Sequence, residues 1–326
     1  MKGRETLLFE RNKLKIKPLS ERKHDIDLDV IKNLVRVERY PESIGHVANK
    51  IVNAKTSGSA VIMMMGGHVI RSGVQKYIID LMQRGYIKCI AANGAGIIHD
   101  YELSLIGATT ESVARYLEEG QFGLWNETGK INDIVNEAYK KGNKGMGAAI
   151  GEAILGGNFP YKNISVFAEA YRLNIPATVH VGIGYDIINE HPNYDGAAAG
   201  AVSYIDFLKF AGVVSNLEGG AIMNFGSAVM APEVFLKALS MARNVAHQSG
   251  KSIKHFTTLV CDLHDLPENI QKEPSRDNAF YYYRPWKTML ARSIAGGGSS
   301  YYVKARHADT VPALWTAIAD VEAERG

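Results

Sequence analysis

The chain has 326 residues, enough for one large α/β domain or two small ones with a sizeable core. Its hydrophobic content of 46% and charged content of 22% are ordinary for a soluble globular protein, and a formal net charge of +3 is too small to imply nucleic acid or a membrane as a partner. The two cysteines, Cys89 and Cys261, lie inside apolar runs and read as small buried hydrophobes, which fits a reducing cytoplasm better than a disulfide framework.

Residues 1–37 are charged and irregular, with Lys2, Arg4, Arg11, Lys13, Lys15, Lys17, Arg22 and Lys23 concentrated at the start. Such a run is usually a solvated arm, and its opening lacks the pattern of a signal peptide. No apolar run approaches the roughly 18 residues of a membrane span. Residues 38–326 then read as a single domain. Pro41 opens a helix whose apolar face carries Ile44, Val47, Ala48 and Ile51, ending near Gly58.

From there strands and helices alternate. Ala60–Met65 is a continuous apolar run of the kind buried on both faces of a parallel sheet, followed by a glycine-rich loop, Gly66 to Gly73, and a helix over 75–84. Ile87–Ala92 repeats the pattern, leading into Asn93-Gly94-Ala95-Gly96-Ile97-Ile98-His99-Asp100. The chain is mostly helical to about residue 173. Further strands are expected at 177–181, 221–225, 256–261 and 301–304, with helices at about 196–214, 232–249 and 309–323. The pattern predicts an α/β fold with a doubly wound, mostly parallel, Rossmann-like sheet of about six strands, preceded by an N-terminal arm.

In such a sheet the residues beyond the strand ends converge on one crevice. Here they are polar: His68, Ser72, Asn93, His99, Asp100, Asp186, His191, Ser227, Asp262 and His264. Two glycine-rich strand-to-helix turns suggest a nucleotide site, because backbone amides can approach a phosphate there. The G-x-G-x-x-G fingerprint is absent after the first strand, as are H-E-x-x-H, G-x-S-x-G, Walker and CxxC motifs. Lys287 follows Trp286 and the run Tyr281-Tyr282-Tyr283, so its ammonium could be desolvated into a nucleophile, or it could be a surface lysine beside an aromatic cluster.

Four stretches resemble deoxyhypusine synthases as a divergent branch: Leu81–Ile87 leading into Asn93–Asp100, Asn174-Ile175-Pro176, Asn224-Phe225-Gly226-Ser227, and Trp286-Lys287. The resemblance implies a homotetramer that uses NAD and transfers an aminoalkyl group from a polyamine-like donor to an amine acceptor, a protein lysine or a free amine, through a lysine imine. By that resemblance Lys287 would be catalytic, and Trp286, His99, Asp100, Asp186, His191 and Tyr283 would contact substrate. His68, Ser72, Gly73, Asn93, Gly94, Ala95, Gly226 and Ser227 would bind NAD, with no metal. Trp286 and Lys287 lack the glycine that the family places between them, and Ala231 stands where its substrate histidine is expected. The alternatives are a metal-dependent hydrolase built on His68, His99, Asp100, Asp186, His191 and His264, and a nucleotide-binding homologue without catalysis.

Overall fold

The computed structural model describes residues 8–142 and 144–325, so Lys2 and Arg4 of the basic run lie outside the described residues. An arm containing the short strand β1 (Ile26–Asp27) leads into α1 (Glu42–Ser57), β2 (Val61–Met65), α2 (Gly67–Arg71), α3 (Gln75–Gln83), β3 (Cys89–Asn93) and α4 (Gly94–Ile106). Next come β4 (Ala108–Thr109), α5 (Val113–Glu118), α6 (Asn126–Lys141), α7 (Met146–Gly156), α8 (Val166–Arg172), β5 (Ala177–His180) and α9 (Gly196–Val214). The chain ends with β6 (Ala221–Phe225), α10 (Met230–Gln248), β7 (Thr257–Asp262), a π-helix (Pro285–Arg292), β8 (Ser299–Lys304) and α11 (His307–Arg325).

Six strands form one sheet in the order β5-β3-β2-β6-β7-β8, every neighbouring pair parallel. This is the expected sheet, with β2 and β3 adjacent. Counted along the chain it is the 3-2-1-4-5-6 order of a dinucleotide-binding fold, whose switch point falls between its first and fourth strands. Here those are β2 and β6, paired from Val61↔Ala221 to Met65↔Phe225.

The apolar runs are continuous because both faces are covered. Val61, Met63 and Met65 join the core formed with α1, α3, α4 and α11, while Ile62 and Met64 join Phe210, Val214, Phe235 and Trp286 on the other face. Helix α9 differs from expectation. Among the described residues it is the one helix long and apolar enough, by length and composition alone, to cross a membrane. Its Phe210 and Val214 are nevertheless fully buried in the core.

The arm is fastened to the domain at several places. β1 pairs antiparallel with β4, Ile26 opposite Thr109, a ladder too short to leave a periodic signature in the sequence. Further on, the Lys32 amide donates to the Gly73 carbonyl at 2.8 Å. Gly73 has φ +75°, and the Val30 carbonyl fills the space a Cβ would need.

Candidate functional site

The turn after β2 and the turn after β6 meet at the switch point. Gly66 lies so close to the Gly226 carbonyl that a Cβ could not fit, and Gly226 itself, at φ +65°, lies against the His307 ring. His307 opens α11, and its Nδ1 is buried without a hydrogen-bond partner. Exposed His68, Gly66, Gly226 and His307 thus border a crevice at the carboxyl ends of β2 and β6.

Beside this crevice is a cavity of about 210 Å³, bounded by Arg71, Ala95, His99, Glu111, Tyr185 and Asp186, with Arg22 and Glu102 beneath. Between the two, α2 packs closely on α4 at Gly67, where a Cβ would stand 3.0 Å from the Ala95 Cβ and 3.1 Å from His99 Cδ2. Asp186 is 5% exposed and its Oδ2 has no partner. Burial pushes its carboxyl up to about 6, only partly opposed by the Gly182 amide. It also crowds Gly94, where no side chain could be accommodated. Arg71 directs Nη1 at His68 Nε2, 3.3 Å away, while its buried Nε is unpaired. One cavity therefore presents an unpaired donor of a cation and an unpaired oxygen of a carboxylate.

Beneath the cavity, Arg22 grips Glu102 with two hydrogen bonds of 2.9 and 2.8 Å, both side chains being almost fully buried. Burial alone would raise the Glu102 carboxyl. The Arg22 guanidinium and hydrogen bonds from Arg22, Thr128 and Thr109 instead hold it below its usual range. Thr109 also meets His99 Nδ1 at 2.8 Å. Burial lowers His99 to about 4, against the opposing pull of Glu102 and with help from Arg71, His68 and Arg22.

The residues expected at the site divide sharply. His99, Asp186 and Ala95 border the cavity, and His68 and Gly226 border the crevice. Asn93 caps α4 through the Gly96 amide, and Gly94 makes room for Asp186. Ser72 donates to the Val69 carbonyl and Gly73 is covered by the arm, so both are structural. Ser227 accepts from the Ala231 amide, starting α10. Asp100 is no substrate ligand: it is 1% exposed and accepts from Ser165 and from the Val166 and Phe167 amides at the start of α8. His191 is buried with Nε2 at 2.8 Å from the Gly123 carbonyl. Trp286 belongs to the core and donates its indole N–H to the Ile270 and Lys272 carbonyls. Tyr283 donates to Asp262 at 2.6 Å and packs edge-on to His264.

Lys287 is 5% exposed on the π-helix, its Nζ 3.3 Å from the centroid of the Tyr281 ring, and it does not border the cavity. Its aromatic neighbours were visible in the sequence, and in the structure they place Nζ over the face of Tyr281, away from the cavity. Among the described residues no three His, Cys, Asp or Glu side chains come close enough to hold a metal ion. Sequence reasoning missed Arg22, Glu102, Thr109 and Glu111. Arg71 lay inside the first glycine-rich loop and could have been found there as a cation just beyond a strand end.

Residues 45–156 match the family model for the C-terminal Rossmann-fold segment of ArgZ-like arginine dihydrolases. No curated protein matches the chain. Among solved structures, a LOR/SDH-type protein from Methanococcus maripaludis S2 is similar at a TM-score of 0.53 and 16% identity, covering 90% of this chain and 72% of that one. Unliganded AgrE is similar at 0.51 and 14% identity, covering 88% of this chain and 34% of AgrE. The chain likewise spans 34% of the length of cyanobacterial ArgZ. At these identities the likeness is one of fold. A deoxyhypusine-synthase-type protein from Entamoeba histolytica reaches only 0.40 at 9% identity. The family match overturns the deoxyhypusine synthase resemblance and the aminoalkyl transfer through a lysine imine that it implied: the ArgZ-like segment covers both glycine-rich loops on which the resemblance partly rested, and Lys287 stands apart from the cavity.

Proposed function

We propose that this chain is an NAD-binding enzyme domain acting on a small basic amino acid of the arginine and ornithine kind. The observation that carries the reading is the pair of unmatched charges in one cavity, Arg71 and Asp186, beside the switch-point crevice. Two unpaired ionic groups of opposite sign are expensive to hold in a fold, and a zwitterion would satisfy both. Arg71 would take the substrate carboxylate, Asp186 an ammonium, and Glu111 the second basic group. AgrE has been crystallised with ornithine and NAD+, and an AgrE variant with L-arginine.

The crevice residues suit the cofactor. Gly66, Gly67 and Gly226 let the strand-end turns pack closely on one another and on His307, while Asp186 already covers the first turn of α4 and would repel a phosphate there. That leaves the β2–α2 turn for the pyrophosphate, with His68 and His307 at its sides. Bound NAD+ supplies a hydride acceptor. With that acceptor in place the substrate carbon bearing the amine would give up a hydride, His99 would accept a proton from the amine nitrogen, and water would add to the resulting C=N bond and release ammonia. Hydrolysis of a guanidinium by a thiol is less well served here. Cys89 and Cys261 are both buried in strands, where burial pushes the thiols up.

Calorimetric titration with NAD+ and NADP+, followed by a search for NADH formation with L-ornithine and L-arginine, tests the reading. NAD+ should bind, and one of the amino acids should reduce it. Arg71→Met should lose the amino acid while keeping the cofactor. Absence of NAD+ binding, or NADH formation that survives Arg71→Met unchanged, would overturn the proposal.

A further inference from the structure

We infer that Thr109 is a positioning residue that fixes His99 as the Nδ1–H tautomer, so that its Nε2 lone pair is the proton acceptor presented to the cavity. The argument rests on counting hydrogens. Glu102 is ionised and can only accept, and the Thr109 hydroxyl lies 2.7 Å from its Oε2. A hydroxyl has one proton, and Thr109 gives it to Glu102. The contact of 2.8 Å between Thr109 Oγ1 and His99 Nδ1 must then be an N–H donated by histidine. Nε2 is left as the acceptor, and among the described residues it makes no hydrogen bond.

The arrangement is anchored from several elements. Arg22 comes from the N-terminal arm and holds Glu102 by both oxygens, while Thr128 on α6 donates to the same carboxylate at 2.6 Å. Thr109 sits on β4, the strand to which the arm pairs, and is fully buried. The charged and titratable groups facing the imidazole are Glu102 on its own helix, His68 and Arg71 on α2, and Arg22 on the arm. Burial, helped by the three of these that are or can become cations, opposes a second proton on the ring, so His99 is kept neutral with its Nε2 lone pair free. The arm therefore does more than cover the domain: its Arg22 sets the charge of Glu102, from which the orientation of Thr109 and the tautomer of His99 follow.

This deepens the amino-acid reading, since the acceptor it defines faces the same cavity, but its test needs no ligand. The full chain, labelled with 15N histidine, is examined by nitrogen–proton correlation spectroscopy near neutral pH. His99 should show a protonated pyrrole-type Nδ1 and an unprotonated pyridine-type Nε2. Thr109→Val removes the oxygen, and the Nδ1–H signature should be lost or mixed with the other tautomer; Thr109→Ser should restore it. An Nε2–H tautomer in the wild-type chain overturns the inference whether or not Thr109→Val folds. So does a Thr109→Val protein whose His99 signals are unchanged. A correct tautomer with no NAD+ binding would leave this inference standing and remove only the functional reading.

Discussion

Replacing Asp186 with asparagine should make the protein more stable and less able to bind an amino acid. The carboxyl titrates at about 6 in the folded chain against an ordinary value of 3.8, because burial disfavours its charge. A difference of about two units, at about 1.4 kcal/mol each, means that the ionised group costs the free protein about 3 kcal/mol. A raised carboxylate contributes stability that is fully present below the unfolded value and is lost as pH rises through the folded one. Asp186→Asn should therefore match the wild-type chain near pH 4, pull ahead between pH 4 and 6, and exceed it by up to about 3 kcal/mol above pH 7. Urea unfolding across that range reads the difference directly, provided the m-value does not change. The same variant should lose the amino acid, since an amide cannot neutralise an ammonium. A gain that is independent of pH, or no gain at pH 8, would show that Asp186 is not a desolvated carboxylate held without a counter-charge.

Arg22→Met should destabilise the fold by about 3–5 kcal/mol, because it strands Glu102 as a buried charge; the double variant with Glu102→Leu should recover most of the loss in urea unfolding. Asp206, fully buried, accepts from the Gly147 and Val179 amides through one oxygen and is raised to about 7 by burial. Its contribution is fully present below about pH 4 and is lost as pH rises through 7, so Asp206→Asn, which keeps an acceptor for both amides, should flatten the fall in stability measured between about pH 4 and 7. Lys287→Met should cost about 1–2 kcal/mol through its lost contact with Tyr281, yet leave calorimetric NAD+ binding unchanged; loss of cofactor binding in a folded variant would return Lys287 to the site.

The sheet was legible because its strands are buried on both faces, and that burial demands the unbroken apolar runs at Val61–Met65 and Ala221–Phe225. The site was half legible. Polar residues at strand ends were the right place to look, and His99 and Asp186 were found there. Yet Asp100, one residue from His99, caps a helix, because adjacent helical residues face different ways. Arg22 was hidden for another reason. In sequence it is one of eight early cations and reads as solvated, while the carboxylate that buries it lies 80 positions away. Thr109 carried no signal at all, since its role depends on which neighbour receives its single proton.

An unpaired buried atom is a weak sign of function by itself, and Asp206 shows why. Its Oδ1 has no hydrogen bond, as is true of Asp186 Oδ2, and burial raises both carboxyls. But Asp206 lies at the first turn of α7, and Gly145 yields the space a side chain would take, so the carboxylate is closed in by backbone whose amides already face it. The amides of the helix end offset part of the cost of its charge. Asp186 also lies against a helix start, yet it opens onto a cavity that holds an unmatched arginine on the same wall system. The two groups leave each other unpaired although one ion pair would relieve both, and a fold that keeps opposite charges apart across 210 Å³ leaves room for a molecule carrying both signs.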